Sequence, residues 1–179
     1  MRKQLRPTDV KRLNRTWRRN TGNRLALIIE SVTGPFNIGS IFRSAAAFGV
    51  DEIWLAGNAT PPTNPKAGKT ALGTERLVTW HDPIPATEAV KAAREEGYAV
   101  LAIELTAESV PLHRADLDRD VCLVVGSEDH GCSPALLEAV DGACYIPQVG
   151  RVGSFNVAVA AAIALAEARR QEWQNLPDS

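Results

Sequence analysis

The side chains best equipped for chemistry are gathered in three short stretches. FNIGSIFRSAAAFG (36–49) carries Asn37 and Arg43, VVGSEDHGCSP (124–134) carries Glu128, and YIPQVGRVGSFNV (145–157) carries Ser154 and Asn156. A guanidinium presents a rigid fork of donors suited to phosphate or carboxylate, and Gly39, Ser40 and Ala47 on the same helical face leave room for an approach to Arg43. An ion pair with an acid such as Glu128 is the structural alternative for Arg43, and spacing alone does not choose between them. Glu128 lies between Gly126 and Gly131 as the one carboxylate placed to point into a cleft, in a loop whose glycines let backbone come close to a ligand. Ser154 and Asn156 stand at the mouth of a helix, where one of them serves as the cap.

Several other chemistries lack their residues. The 126–133 loop has no GK[ST] ending, so no lysine reaches a phosphate, and no GxGxxG follows the first strand candidate. His81, His113 and His130 have no metal-ligand spacing, and no metal is expected. Cys122, Cys132 and Cys144 contain no CxxC pair, which argues for reduced thiols in or near the core. A Cys132/His130 nucleophile pair is conceivable, though adjacency in sequence says little about geometry.

Elements must hold these stretches together. Short apolar runs at 25–30, 51–57, 98–104, 120–126 and 143–147 have the Val, Ile and Leu content of strands buried on both faces. Helical patterns fit between them at about 38–48, 86–96, 134–140 and 156–173, with Asn37 as the expected cap of the first and Ser133-Pro134 opening the third. The alternation predicts an α/β fold, an open mostly parallel sheet with helices on both faces and a ligand site at the carboxyl ends of its strands. A connection at 58–80 breaks the rhythm, and its Lys66, Lys69 and Arg76 either meet a substrate backbone or are solvated charges. The last helix is rich in alanine, which fits close core packing or a tight subunit interface.

The charge is unevenly spread. Residues 1–24 hold nine of the 20 Lys and Arg but one of the 21 acids, so +8 sits on this arm and −9 on the rest of the 179 residues. Val10, Leu13 and Trp17 recur at helical spacing after Thr8 or Asp9 as cap, so the arm reads as a short basic helix contacting a polyanion through Arg12, Arg15, Arg18 and Arg19. A solvated tail is the plainer alternative. The expected organisation is this arm, 1–24, and a single domain, 25–179. Without a long apolar run or a secretory pattern, the expectation is a cytoplasmic protein with no membrane partner.

Taken together, the three stretches resemble the motifs of the SpoU/TrmH class of SPOUT RNA methyltransferases. Asn37, Gly39, Arg43, Ala45 and Phe48-Gly49 match the first motif, Gly126, Glu128 and Gly131 the second, and Ile146-Pro147, Gly150, Ser154, Asn156 and Val157 the third. Phe155 replaces the usual Leu, and Gln148 stands where Met is frequent. The resemblance, spanning about 25–167, implies a C-terminal deep trefoil knot and a homodimer whose active site is completed at the interface. It also implies methyl transfer from S-adenosylmethionine to a ribose 2′-hydroxyl of RNA. Arg43, Asn37, Glu128, Ser154 and Asn156 would form the catalytic set. Leu105, Thr106, Gly126, Gly131, Ile146, Gln148, Ser154 and Phe155 would form the cofactor pocket, with Arg12, Arg15, Arg18, Arg19 and Lys69 on RNA. The family is described as using the arginine as proton acceptor, whereas a guanidinium is essentially always protonated, which favours holding the ribose and its phosphate. The short arm and the Ser-Phe-Asn-Val form of the third motif favour transfer RNA over ribosomal RNA. The rival from another class is an RNA-binding α/β module without catalysis.

Overall fold

The computed structural model describes residues 3–174 and 176; Arg2, one of the nine basic residues of the arm, lies outside the described residues. Seven strands form one sheet: β1 (Leu25–Glu30), β2 (Glu52–Ala56), β3 (Thr79–Ile84), β4 (Ala99–Ile103), β5 (Val110–Pro111), β6 (Val121–Val125) and β7 (Gly142–Tyr145). Among the described residues six α-helices accompany it: α1 (Pro7–Arg19), α2 (Pro35–Phe48), α3 (Pro65–Ala71), α4 (Ala86–Glu95), α5 (Pro134–Ala139) and α6 (Val157–Trp173). The order is β3-β2-β1-β6-β4-β7-β5 and every neighbouring pair is parallel. The central strands β1 and β6 are buried along their whole length, as their unbroken apolar runs require. Two cores flank the sheet, one beneath α2 and α6 and one beneath α4 and α5.

Five strands fall where the apolar runs place them, and two do not announce themselves. β3 reads Thr-Trp-His-Asp-Pro-Ile, is half open to solvent, and carries Pro83. It can do so because it is an edge strand, where a missing N–H costs no ladder bond on the open side. β5 has two residues at the opposite edge. The 58–80 connection is more ordered than its composition indicates: Asn64 caps α3 through the Lys66 N–H, and a 3-10 turn at Thr74–Arg76 follows. α1 likewise starts at Pro7 with Arg6 at the cap position, so neither Thr8 nor Asp9 caps it.

α3 also changes the reading of the small-residue face of α2. A Cβ on Gly39 would lie 2.0 Å from Thr70 Oγ1 and 2.2 Å from the Ala67 carbonyl oxygen. The small residue therefore admits α3, and what approaches that part of α2 is this chain itself.

At the far end of α2, one buried arginine ties several elements together. Arg169 on α6 is 3% exposed, donates to the carbonyls of Phe48, Gly49 and Asn23 at 2.8–2.9 Å, and pairs with Glu172 at 2.8 Å. Glu172 in turn accepts the N–H groups of Gly22 and Asn23. The end of α6 thus fixes the turn after α2 and the entry to β1, and Trp173 meets Trp17 of α1 with ring centroids 4.8 Å apart. Removing Arg169 leaves buried Glu172 without its countercharge and takes the guanidinium donor from three carbonyls. Arg169→Met should lower the unfolding free energy by about 3 kcal/mol in urea titration, where a solvent-exposed arginine would cost under about 1 kcal/mol.

Candidate active site

All three chemistry-bearing stretches leave the carboxyl ends of parallel strands. α2 follows β1, the 126–133 loop follows β6, and the 146–156 loop joins β7 to α6. α2 begins at Pro35, with Gly34 at the cap position, three residues earlier than the pattern of apolar residues indicates. Proline at the first helical position accounts for the early start. Asn37 is therefore not the cap of α2, and its side chain is free for other partners.

Those partners are the other two stretches. Asn156 caps α6, its Oδ1 accepting the N–H groups of Ala158 and Val159 at 3.0 and 3.3 Å. Its Nδ2 then donates to Asn37 Oδ1 at 3.0 Å, and Asn37 Nδ2 donates to Glu128 Oε1. The direction of the whole chain follows from the helix end: fixed N–H donors orient the Asn156 amide, which orients that of Asn37, leaving the latter a donor to a carboxylate. Glu128 is thus held by Asn37, and no ion pair joins it to Arg43. Arg43, six residues along α2 from Asn37, is exposed and makes no ion pair or side-chain hydrogen bond among the described residues.

Glu128 sits at the tip of a tight hairpin. Ser127 and Gly131 exchange backbone hydrogen bonds at 2.9 and 3.1 Å, and His130 N–H donates to Ser127 Oγ. Two carboxylates from strand ends grip its base. Glu30, 5% exposed, accepts the Ser133 N–H at 2.9 Å, and Glu104 accepts the Cys132 N–H at 3.0 Å and the Leu105 N–H at 3.1 Å. The fold of this loop itself requires its glycines. A Cβ on Gly126 would lie 2.1 Å from the Gly131 carbonyl carbon, and Gly131, at φ +66°, would drive one to 2.2 Å from Glu104 Oε2. Cys132 is buried, and its thiol is pushed far above the ordinary range by burial and then by Glu104 and Glu30. A nucleophilic role for it with exposed His130 has no support in this geometry.

A cleft of about 390 Å³ opens beside this loop, within the size range of small-molecule sites. Leu105, Gly126, Gly131, Ile146, Gln148, Ser154 and Phe155 all line it, together with Glu128. Thr106 is not among its lining residues, and its N–H is taken by Ser109 Oγ at 3.0 Å. Ile103, Ile146, Phe155 and Val157 supply apolar walls. Glu104 and Asp129 also line it, so Glu128 is not its only carboxylate. Glu104 ends the β4 run and could have been noticed as a charge closing an otherwise apolar strand; nothing in the sequence places it against Cys132. On the other side of Asn156 a shallow groove lies between α2 and α6, lined by Ser40, Ser44, Phe48, Asn156, Val159 and Ile163 among others. Arg12, Arg15, Arg18 and Arg19 are exposed on α1 and Lys69 is exposed on α3. Among the described residues no group of three or more His, Cys, Asp and Glu is placed to hold a metal, and no helix is long and apolar enough to cross a membrane.

The parallel sheet with three loops joined over one strand-end cleft is an α/β fold that matches the SPOUT methyltransferases. The chain belongs to the SpoU rRNA Methylase family, whose model matches residues 24–166. It is 35% identical over 150 residues to an uncharacterized tRNA/rRNA methyltransferase of Synechocystis, covering 84% of this chain and 54% of that one. It is 34% identical over 149 residues to the tRNA (guanosine(18)-2′-O)-methyltransferase of Thermus thermophilus, covering 82% and 75%. The SpoU methyltransferase AviRb of Streptomyces viridochromogenes, solved with AdoMet, superposes with a TM-score of 0.77 at 28% identity, covering 87% of this chain and 63% of AviRb. The chain thus spans about half the length of the first of these relatives and less than two thirds of AviRb.

Proposed function

We propose that this protein transfers a methyl group from S-adenosylmethionine to a ribose 2′-hydroxyl of RNA, with transfer RNA as the substrate class. The observation that carries the reading is the Glu128–Asn37–Asn156 chain, which joins the three stretches at one cleft while leaving Arg43 unpaired on the same helix as Asn37. The cleft suits the cofactor: apolar walls at Ile103, Ile146, Phe155 and Val157 fit a base, and its carboxylates fit a cation. Bound there, S-adenosylmethionine supplies an electrophilic methyl carbon.

The chain's own residues then have separable tasks. Ile146, Gln148 and Phe155 bind, with Gly126 and Ser154 on the adjoining walls. Asn37 and Asn156 hold Glu128 and the mouth of α6 in one arrangement. Arg43 anchors the phosphate beside the target ribose and stabilises the negative charge that grows on the 2′-oxygen as its proton leaves. Because a guanidinium stays protonated, its contribution is position and charge, and much of the acceleration comes from alignment of the reacting atoms. The arm, residues 1–24, follows the RNA backbone through Arg12, Arg15, Arg18 and Arg19, and Lys69 adds a contact from α3; this attraction weakens as salt rises.

The same reading includes a second copy of the chain seated on the α2–α6 groove. Val159 is 47% exposed there among small and apolar neighbours, and Asn156 belongs to both groove and site, so a dimer through this face completes the site. It includes the knot as well. β7 enters the sheet between β4 and β5, and α6 returns to pack on α2, a path compatible with a threaded C-terminal segment. Three buried free cysteines suit a reducing cytoplasm. Ribosomal RNA is the second substrate reading, favoured by the family's description.

Arg43→Ala should abolish 2′-O-methylation of RNA, a loss of at least 100-fold, while S-adenosylmethionine binding by calorimetry stays within about twofold. Retained methylation, or binding without any methylated ribose in total cellular RNA from the wild-type protein, would overturn the reading in favour of a binding module. Mapping the 2′-O-methyl sites lost on deletion decides between transfer and ribosomal RNA. Val159→Glu should convert a dimer to monomers in light scattering and lower methylation with it, and an unchanged dimer would remove the α2–α6 face from the proposal.

A further inference from the structure

The cleft is charged in one direction only. Glu104, Glu128 and Asp129 line it with His130, and among the described residues no lysine or arginine does. Glu104 is the most enclosed of the three acids, half-buried where Glu128 and Asp129 are exposed. Its two oxygens each accept one backbone N–H, from Leu105 and Cys132, and no ion pair neutralises it among the described residues. A carboxylate bonded in this way is held at the cleft wall.

We propose that Glu104 is a specificity-determining residue that favours the cationic methyl donor over its neutral product. The inference rests on the cofactor reading above. In the transfer, the ribose oxygen forms a bond to the methyl carbon while the carbon–sulfur bond breaks, and the electron pair stays on sulfur. The hydroxyl proton passes to solvent. The sulfonium thereby becomes a neutral thioether, and the ligand loses the one positive charge that reaction consumes. Attraction between that charge and a held, partly desolvated carboxylate falls away at the same moment, so the chemical step itself loosens the spent cofactor. Glu104 does this while also gripping the hairpin, and the two roles make different predictions: a grip alone affects every ligand of the cleft equally.

The test is calorimetry on the full chain with three ligands: S-adenosylmethionine, S-adenosylhomocysteine, and an analogue with a protonated amine in place of the sulfonium. In Glu104→Gln, which keeps an oxygen acceptor but not the charge, both cationic ligands should weaken about three- to tenfold relative to the thioether. Glu104→Asp should retain the preference for cations even if all three ligands weaken. Equal weakening of all three in Glu104→Gln, or no change in their ratios, would overturn the proposal. The wild-type chain supplies a check that needs no variant: it should bind the amine analogue more tightly than the thioether, and equal or weaker binding would also overturn it. If the wild-type chain binds none of the three ligands, the cofactor reading beneath the inference is what fails.

Discussion

The site depends on one side-chain amide. Asn37 donates to Glu128 and accepts from Asn156, partners 91 and 119 residues away in sequence, and through them it connects α2, the hairpin after β6 and the start of α6. The bond to Glu128 has its direction imposed from outside: the two N–H groups at the start of α6 orient Asn156, and the order of donors and acceptors follows from there. An aspartate at 37 could not donate to Glu128, and a leucine would leave both partners unmet. What spacing alone presents as three independent glycine-bearing loops is, in the folded chain, one hydrogen-bonded assembly with a cleft on one side and a small-residue groove on the other.

Rigidity reaches that assembly from two directions. The hairpin carrying Glu128 is closed by its own backbone, by the close approach of Gly126 to Gly131, and by Glu30 and Glu104 at its base. The helices carrying Asn37 and Asn156 are locked together at their far ends by Arg169, whose guanidinium spans from α6 to the last carbonyls of α2 and the entry to β1. A side chain can be aimed to within a fraction of an ångström only if its supporting backbone has few alternatives, and each of these contacts removes one. Arg43 stands apart. It projects from the rigid helix with no ion pair or side-chain hydrogen bond among the described residues.

Much of this was legible before folding, and the failures have physical reasons. Strands β1, β2, β4, β6 and β7 are buried, so their apolar runs were sufficient to find them; β3 is an edge strand with one face in water and no such run. Ser133 and Asn156 were readable as caps because a cap is a local interaction. Asn37 resembled one as well, but Pro35 starts the helix earlier and turns Asn37 toward residues that no local rule could pair with it. Gly126 and Gly131 signal a close approach of backbone, and besides lining the cleft they admit the loop's own backbone and Glu104. Gly39 on spacing alone offers room beside Arg43, and α3 fills that room. In each case the residue type is informative and its partner is not, because the partner is set by how loops and helices pack in the folded chain.

Charge completes the functional account. The arm and the exposed Arg43 are basic, while the cleft between the loops is lined by acids, so on the proposed reading nucleic acid and methyl donor are separated by sign as well as by place. The claim that these parts act as one site through Asn37 is tested most directly by a double-mutant cycle on kcat/KM for methyl transfer, with Asn37→Ala, Asn156→Ala and the pair. Groups that act as a unit are non-additive, so the double mutant should fall short of the summed single losses by about 1 kcal/mol or more. Losses that add to within about 0.5 kcal/mol would contradict the account, because the two asparagines would then contribute independently.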